Sequence, residues 1–198
     1  MNTKYKLLVI GFIIIYSFAV QADTLKGKCK VLFDEGSYTQ AISICTQAAE
    51  SGDSASQTML GEIYDQSGKS EEVAFWWNKA AEAGYQPARN LLALKYYYGG
   101  TVLGAEKGWK QDYSKAFKMW MEDAKKGVAT SQFMIGVMYQ KGYGADKNLA
   151  ESWFWLKVAL NNGYKLSTDV LIEISREISV EQKSKGEEKL RNYKQLNS

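Results

Sequence analysis

The chain has 198 residues, 45% of them hydrophobic and 24% charged, which is enough apolar material for one compact domain or one short repeat array and excludes gross disorder. Formal charge is only +3, and the loss of Lys4 and Lys6 with a leader would bring it to +1, so no nucleic-acid partner and no polybasic membrane anchor are expected. Histidine is absent, which removes Ser-His-Asp and Cys-His catalysis and the usual ligands of catalytic zinc.

The chain opens with Met1-Asn2-Thr3-Lys4-Tyr5-Lys6 and an apolar run from Leu7 to Val20. That run is shorter than the ~20 residues of a spanning helix. Val20 and Ala22 place small residues at the −3 and −1 positions before Asp23, so residues 1–22 are read as a cleaved signal peptide, with an uncleaved anchor as the alternative. The expected location is periplasmic or secreted, with no stable membrane insertion after cleavage. Cys29 and Cys45 are the only cysteines, both beyond the leader. An even count in an oxidising compartment predicts a disulfide, closing a loop worth about 3 kcal/mol. The competing reading, a redox pair, lacks Cys-x-x-Cys spacing.

From residue 25 onward the sequence repeats. Glycines close similar helical segments at Gly52, Gly84, Gly127 and Gly163, spaced 32, 43 and 36 residues apart. Eight residues after the first three stand Leu60, Leu92 and Ile135; nine after stand Gly61, Ala93 and Gly136; twelve after stand Tyr64, Tyr96 and Tyr139. Within the units apolar residues fall at helical spacing: Val73, Trp76, Trp77 and Ala80; Tyr113, Ala116, Phe117 and Trp120; Leu149, Trp153, Leu156 and Leu160. Each unit is therefore predicted to be two antiparallel helices, which bury their stripes by stacking on neighbouring pairs.

The boundaries are 23–52 (partial), 53–84, 85–127 and 128–164, with capping helices over 165–198. Small residues at Gly61, Ala93 and Gly136 predict close helix approach, since glycine costs about 1 kcal/mol in a helix interior. Pro87 suits a helix start. Cys45 stands where Trp77 and Trp120 stand in later units, seven residues before the closing glycine. Thr168–Ile178 and Ser179–Leu196 form the final hairpin, with Ser179 and Gln182 as a capping box and a polar character suited to an array end.

The third unit, Ser131-Gln132-Phe133-Met134-Ile135-Gly136-Val137-Met138-Tyr139 followed by Gly142-Tyr143-Gly144-Ala145, Ala150 and Trp153, resembles the Sel1-like repeat family. Its pattern is A-x-x-x-L-G-x-x-Y-x-x-G-x-G-V followed by A-x-x-W. The likeness covers roughly residues 38 to 164. It implies an all-α, α/α superhelical solenoid acting as a protein-binding scaffold. It further implies an envelope component, a secreted toxin or a host protein as partner, and an adaptor or an immunity protein as role. Cysteine-rich exported relatives suggest the alternative of a β-lactam- or peptidoglycan-directed binding protein or hydrolase, but they carry a cysteine pair in every repeat. No Ser-x-x-Lys nucleophile motif occurs.

Two departures from the pattern matter. The first full unit has a shortened turn, Ser67-Gly68-Lys69-Ser70. It looks like the end of a phosphate loop, but Ile63 occupies the position of that loop's first glycine. The second carries extra residues from Gly100 to Gln111. Loops inserted on a rigid scaffold often carry function, and aromatic residues with basic neighbours are frequent interface anchors. Tyr97, Tyr98, Lys107, Trp109 and Lys110 are therefore the expected partner-binding residues, set against a tolerated surface insertion. No catalytic residue, cofactor or metal is expected. Adjacent acidic pairs such as Glu71-Glu72 are read as solvated helix faces.

Overall fold

A computed structural model describes residues 21, 23–99 and 109–196; the leader expected over 1–22 lies almost wholly outside them. Among the described residues the chain is all-α, without a strand. A first helix, α1, covers residues 23–34. It is followed by α2 (Tyr38–Glu50), α3 (Ser54–Gln66), α4 (Ser70–Glu82), α5 (Gln86–Tyr98), α6 (Tyr113–Lys125), α7 (Ala129–Lys141), α8 (Leu149–Asn161), α9 (Ser167–Ile174) and α10 (Val180–Leu196). Every helix from α2 to α8 has 13 residues, so each hairpin is built to one length.

Local chemistry sets these limits. Asp53 accepts the Ser56 backbone N–H at 2.9 Å, Asp112 that of Lys115 at 2.9 Å, and Asn148 those of Ala150 and Glu151 at 3.1 Å, each supplying an acceptor to a helix N-terminus. Pro87 falls in the first turn of α5, where no intrahelical N–H is lost. At the other end Gly84 takes φ +85°, and Tyr85 then donates its N–H to the Ala80 carbonyl at 3.0 Å. Only a residue without Cβ adopts that left-handed turn cheaply. Ser179 and Gln182 close their reciprocal box: the Ser179 N–H donates to Gln182 Oε1 at 3.0 Å, and the Gln182 N–H to Ser179 Oγ at 3.2 Å.

The chain divides into two compact units, one reaching Arg89 and the other running from Asn90 onward. In the first, α2 packs on α3 and α3 on α4. The predicted stripe Val73, Trp76, Trp77 and Ala80 is buried, and Leu60, Ile63, Ala41 and Ala49 complete the core. Cys29 and Cys45 are joined by a disulfide between α1 and α2, with both side chains fully buried. In the second unit α6 packs on α7, α7 on α8, and α8 on both α9 and α10. Trp120, Ala93, Ile135, Met138 and Phe154 form its main core.

One packing rule repeats in both units. The large residue seven positions before a closing glycine meets the small residue of the preceding helix. A Cβ on Gly61 would collide with the Trp77 indole, and one on Gly136 would lie 2.6 Å from Leu156 Cγ. Trp77 also donates its indole N–H to the Thr58 carbonyl at 3.0 Å, and Trp120 donates to Asn90 Oδ1 at 2.9 Å. A second repeated contact has glutamine five residues after the glycine donating to the carbonyl three residues before it: Gln57 to Ala49 at 2.9 Å, Gln132 to Ala124 at 3.0 Å. These bonds give a second donor to helix-end carbonyls that also accept from the Gly52 and Gly127 N–H groups at 3.1 Å.

In the closing hairpin the second helix, α10, is polar, and Leu166, Ile172 and Val180 are 59%, 53% and 89% exposed.

Candidate protein-interaction surface

A dense group of aromatic side chains gathers where α5 ends and α6 begins. Tyr96, Tyr97 and Tyr98 form the last residues of α5, and the chain returns at Trp109. Two hydrogen bonds tie the returning strand of backbone to α5. The Asp112 N–H donates to the Tyr96 carbonyl at 2.7 Å, and the Gln111 side-chain amide donates to the Tyr97 carbonyl at 2.9 Å. The Gln111 end of the Gly100–Gln111 insertion is thus fixed on the last turn of α5.

Tyr97 lies at the centre of the group. Its ring meets Tyr98 at 4.8 Å, Tyr113 at 5.3 Å, Trp120 at 5.6 Å and Tyr143 at 6.0 Å between centroids, tilted or edge-on as aromatic quadrupoles prefer. Tyr113 and Tyr143 stack face to face at 4.2 Å, 8° from parallel. The turn carrying Tyr143 reaches this position because Gly144, at φ +73°, lies against the Tyr113 carbonyl and 2.8 Å (from where a Cβ would stand) from Phe117 Cβ. A side chain there would push the turn, and Tyr143 with it, away from Tyr113.

Tyr96 is held on two sides, by Trp109 edge-on at 5.4 Å and by Lys115 Nζ at 4.9 Å from its centroid. Burial, then the neighbouring Tyr98, Tyr113 and Tyr143 phenols, push the Tyr97 hydroxyl up to about 12. Burial and Tyr143 also raise the Tyr113 hydroxyl. Both phenols remain protonated donors at any physiological pH.

These rings belong to a scaffold that known structures share. The chain resembles c5321, described as a protective antigen present in uropathogenic Escherichia coli strains and displaying an SLR fold. The TM-score is 0.72 at 26% identity, over 87% of this chain and 37% of that one. It also superposes on a Sel1 repeat protein from Oxalobacter formigenes, with TM-score 0.63 at 22% identity, over 77% of this chain and 63% of that one. The chain has the Sel1-like repeat fold.

No family model matches the sequence. Among curated proteins, the chitin synthase regulator SKT5 of Saccharomyces cerevisiae is 31% identical over 136 residues, 66% of this chain. Chitin synthase regulatory factor 3 of Schizosaccharomyces pombe is 30% identical over 115 residues, 54% of this chain. This Sel1-like repeat chain spans only 19% and 12% of the length of those two relatives. The likeness thus covers a small part of each relative; stacked helical repeats of this kind present extended surfaces to other proteins.

Of the residues singled out from the sequence of this Sel1-like repeat protein, Tyr98 is 51% exposed and Lys110 is exposed. Tyr97 and Trp109 are half-buried and spend part of their rings on internal packing; the Trp109 N–H is buried without an acceptor among the described residues. Lys107 lies outside the described residues. Tyr113 and Tyr143 were not singled out. Tyr113 reads as one member of a helical stripe and Tyr143 as part of a repeat motif, and their stacking joins positions 30 residues apart. Phe75, 59% exposed on α4, was also missed. It lies one residue off the buried stripe, with Lys79 Nζ 5.9 Å from its ring. No cluster of three or more potential metal ligands exists among the described residues.

Proposed function

We propose that this protein is exported and binds another protein through the tyrosine surface at the α5–α6 junction, as an adaptor, scaffold or inhibitor in the periplasm or outside the cell. The observation that carries this reading is the locked arrangement of Tyr97, Tyr113 and Tyr143 beneath the exposed Tyr98. Tyrosine offers a large amphipathic contact with few rotatable bonds, and rings already held by each other lose little entropy on binding. Export is supported by the leader pattern of residues 1–22 and by the engagement of both cysteines in one disulfide. Regulation of another protein is also what the names of the two fungal relatives describe for themselves.

The test is chemical crosslinking of the purified, oxidised protein in an envelope extract, followed by mass spectrometry. A stoichiometric protein partner supports the proposal, and its identity separates adaptor from toxin inhibitor. Retention on isolated cell wall with no protein partner, or turnover of nitrocefin, overturns it in favour of a wall-directed role.

A further inference from the structure

The start of α8 and the first half of α10 border a cavity that the tyrosine surface does not use. It has a volume of about 390 Å³, and its polar lining is Lys147, Asn148, Glu151, Gln182, Lys185 and Lys189. Gly186 also lines it and sets its walls. A Cβ there would lie 2.9 Å from Trp153 Cε3 and 3.0 Å from the Ala150 carbonyl oxygen, so a side chain would push α10 off α8. Ligand pockets span roughly 300–1,000 Å³, which places this one among the small ones.

What the lining offers is almost entirely donors. Asn148 Oδ1 already accepts the Ala150 and Glu151 N–H groups at 3.1 Å, and Gln182 Oε1 the Ser179 N–H at 3.0 Å. Each amide is left with its NH2 group. The three lysines carry ammonium groups, which donate and cannot accept. Glu151 is the single carboxylate in the lining, and both its oxygens accept from Lys189, Oε2 at 2.6 Å. Lys147 and Lys185 pair with Glu177 at 3.1 Å and Glu181 at 2.7 Å, neither of which lines the cavity. All four of those side chains are at least half exposed, and exposed pairs hold each other weakly, so both ammonium groups turn to a ligand at little cost.

Three lysines against one glutamate leave the lining with a charge of +2. The N-terminal end of α8 adds to that positive potential. A carboxylate would bring one charge and two oxygens to five donor groups. A phosphate monoester brings nearly two charges and three acceptor oxygens, and lysines bind it as point charges from several directions. We infer that this cavity binds a phosphate monoester, held by Lys147, Lys185 and Lys189, with the Asn148 and Gln182 amides donating to its remaining oxygens.

Calorimetric titration of glycerol 3-phosphate into the purified, oxidised protein at low salt tests this. Binding is expected in the parent and is expected to be about tenfold or more weaker in Lys147→Gln with Lys185→Gln, because hydrogen bonds to charged groups are the strong ones. Both side chains are exposed, so that variant keeps the parent's melting temperature. Lys183→Gln removes a charge of α10 outside this cavity and is expected to bind as the parent does. The same three proteins are then floated with phosphatidylcholine vesicles containing phosphatidic acid. Affinity for glycerol 3-phosphate marks a free phosphate ester as the ligand, whereas binding of the vesicles alone, lost in the double variant, marks a lipid headgroup. The inference is overturned if neither probe binds, or if the double variant binds as well as the parent. It is overturned equally if Lys183→Gln weakens binding as much, since diffuse charge rather than this cavity would then hold the phosphate.

Discussion

Gly136→Ala sets two opposing effects against each other, and the structure says which one wins. Alanine gains about 1 kcal/mol over glycine in a helix interior. The new Cβ, however, would lie 2.6 Å from Leu156 Cγ, 2.9 Å from Leu156 Cδ2 and 3.2 Å from the Leu156 backbone nitrogen. The side chain could turn aside, but the nitrogen cannot move unless α8 moves away from α7. Overpacking of that kind costs roughly 1–3 kcal/mol. It outweighs the propensity gain because backbone is among the atoms met.

A net loss of up to about 2 kcal/mol lowers the melting temperature by up to roughly 8 °C in a chain of this size. Gly27→Ala is the control. Gly27 lies in α1 with nothing within 4 Å of a Cβ, so only the propensity gain of about 1 kcal/mol remains and the melting temperature rises. Leu156→Ala alone costs about 2–5 kcal/mol. In the Gly136→Ala background it costs roughly 1 kcal/mol less, since the two substitutions relieve each other. Thermal melts by circular dichroism on the four variants read all of these. If Gly136→Ala melts higher than the parent, as Gly27→Ala does, or if Leu156→Ala costs the same in both backgrounds, the close α7–α8 approach is not what holds glycine at 136.

Replacing Cys29 and Cys45 together by serine should cost about 2–5 kcal/mol by urea titration, because the bridge ties α1 to α2 at the core of the first unit. Ser179→Ala should cost about 1 kcal/mol by removing the acceptor for the Gln182 N–H, with Ser179→Asp nearly neutral. The tyrosine surface makes stability fall in alkali. Tyr97 ionises near 10 in the unfolded chain but only at about 12 when folded, so its contribution is complete below pH 10 and is lost as pH rises toward 12. Tyr97→Phe should flatten that loss in melts between pH 9 and 11; an unchanged slope contradicts the burial described for its hydroxyl.

The repeat was legible because its demands are local and periodic. Glycine at each helix end, small residues opposite large ones, and apolar residues at helical spacing each leave a mark at a fixed offset, and the hairpins follow from them. The Ser179–Gln182 box was legible for the same reason. Contacts that join different units left weaker marks. Stacking of Tyr113 on Tyr143 depends on a turn held close by Gly144, and neither residue stands out from its own repeat. The Gln57 and Gln132 bonds recur at one offset but are ordinary polar letters in a sequence, and the second full unit carries Arg89 there. The polarity of α10 is legible from its composition, whereas the exposure of Ile172 and Val180 depends on which side of α9 and α10 faces α8.

The measurement that bears most directly on function is the affinity of the crosslinked partner for the parent chain and for a Tyr98→Ala, Lys110→Ala variant, by calorimetry. Both side chains are exposed and neither belongs to a core, so the variant keeps the parent's melting temperature. Binding weakened by about tenfold or more is expected if the tyrosine surface is the partner site. Equal affinity in parent and variant would contradict it, and would place the partner elsewhere on the repeats.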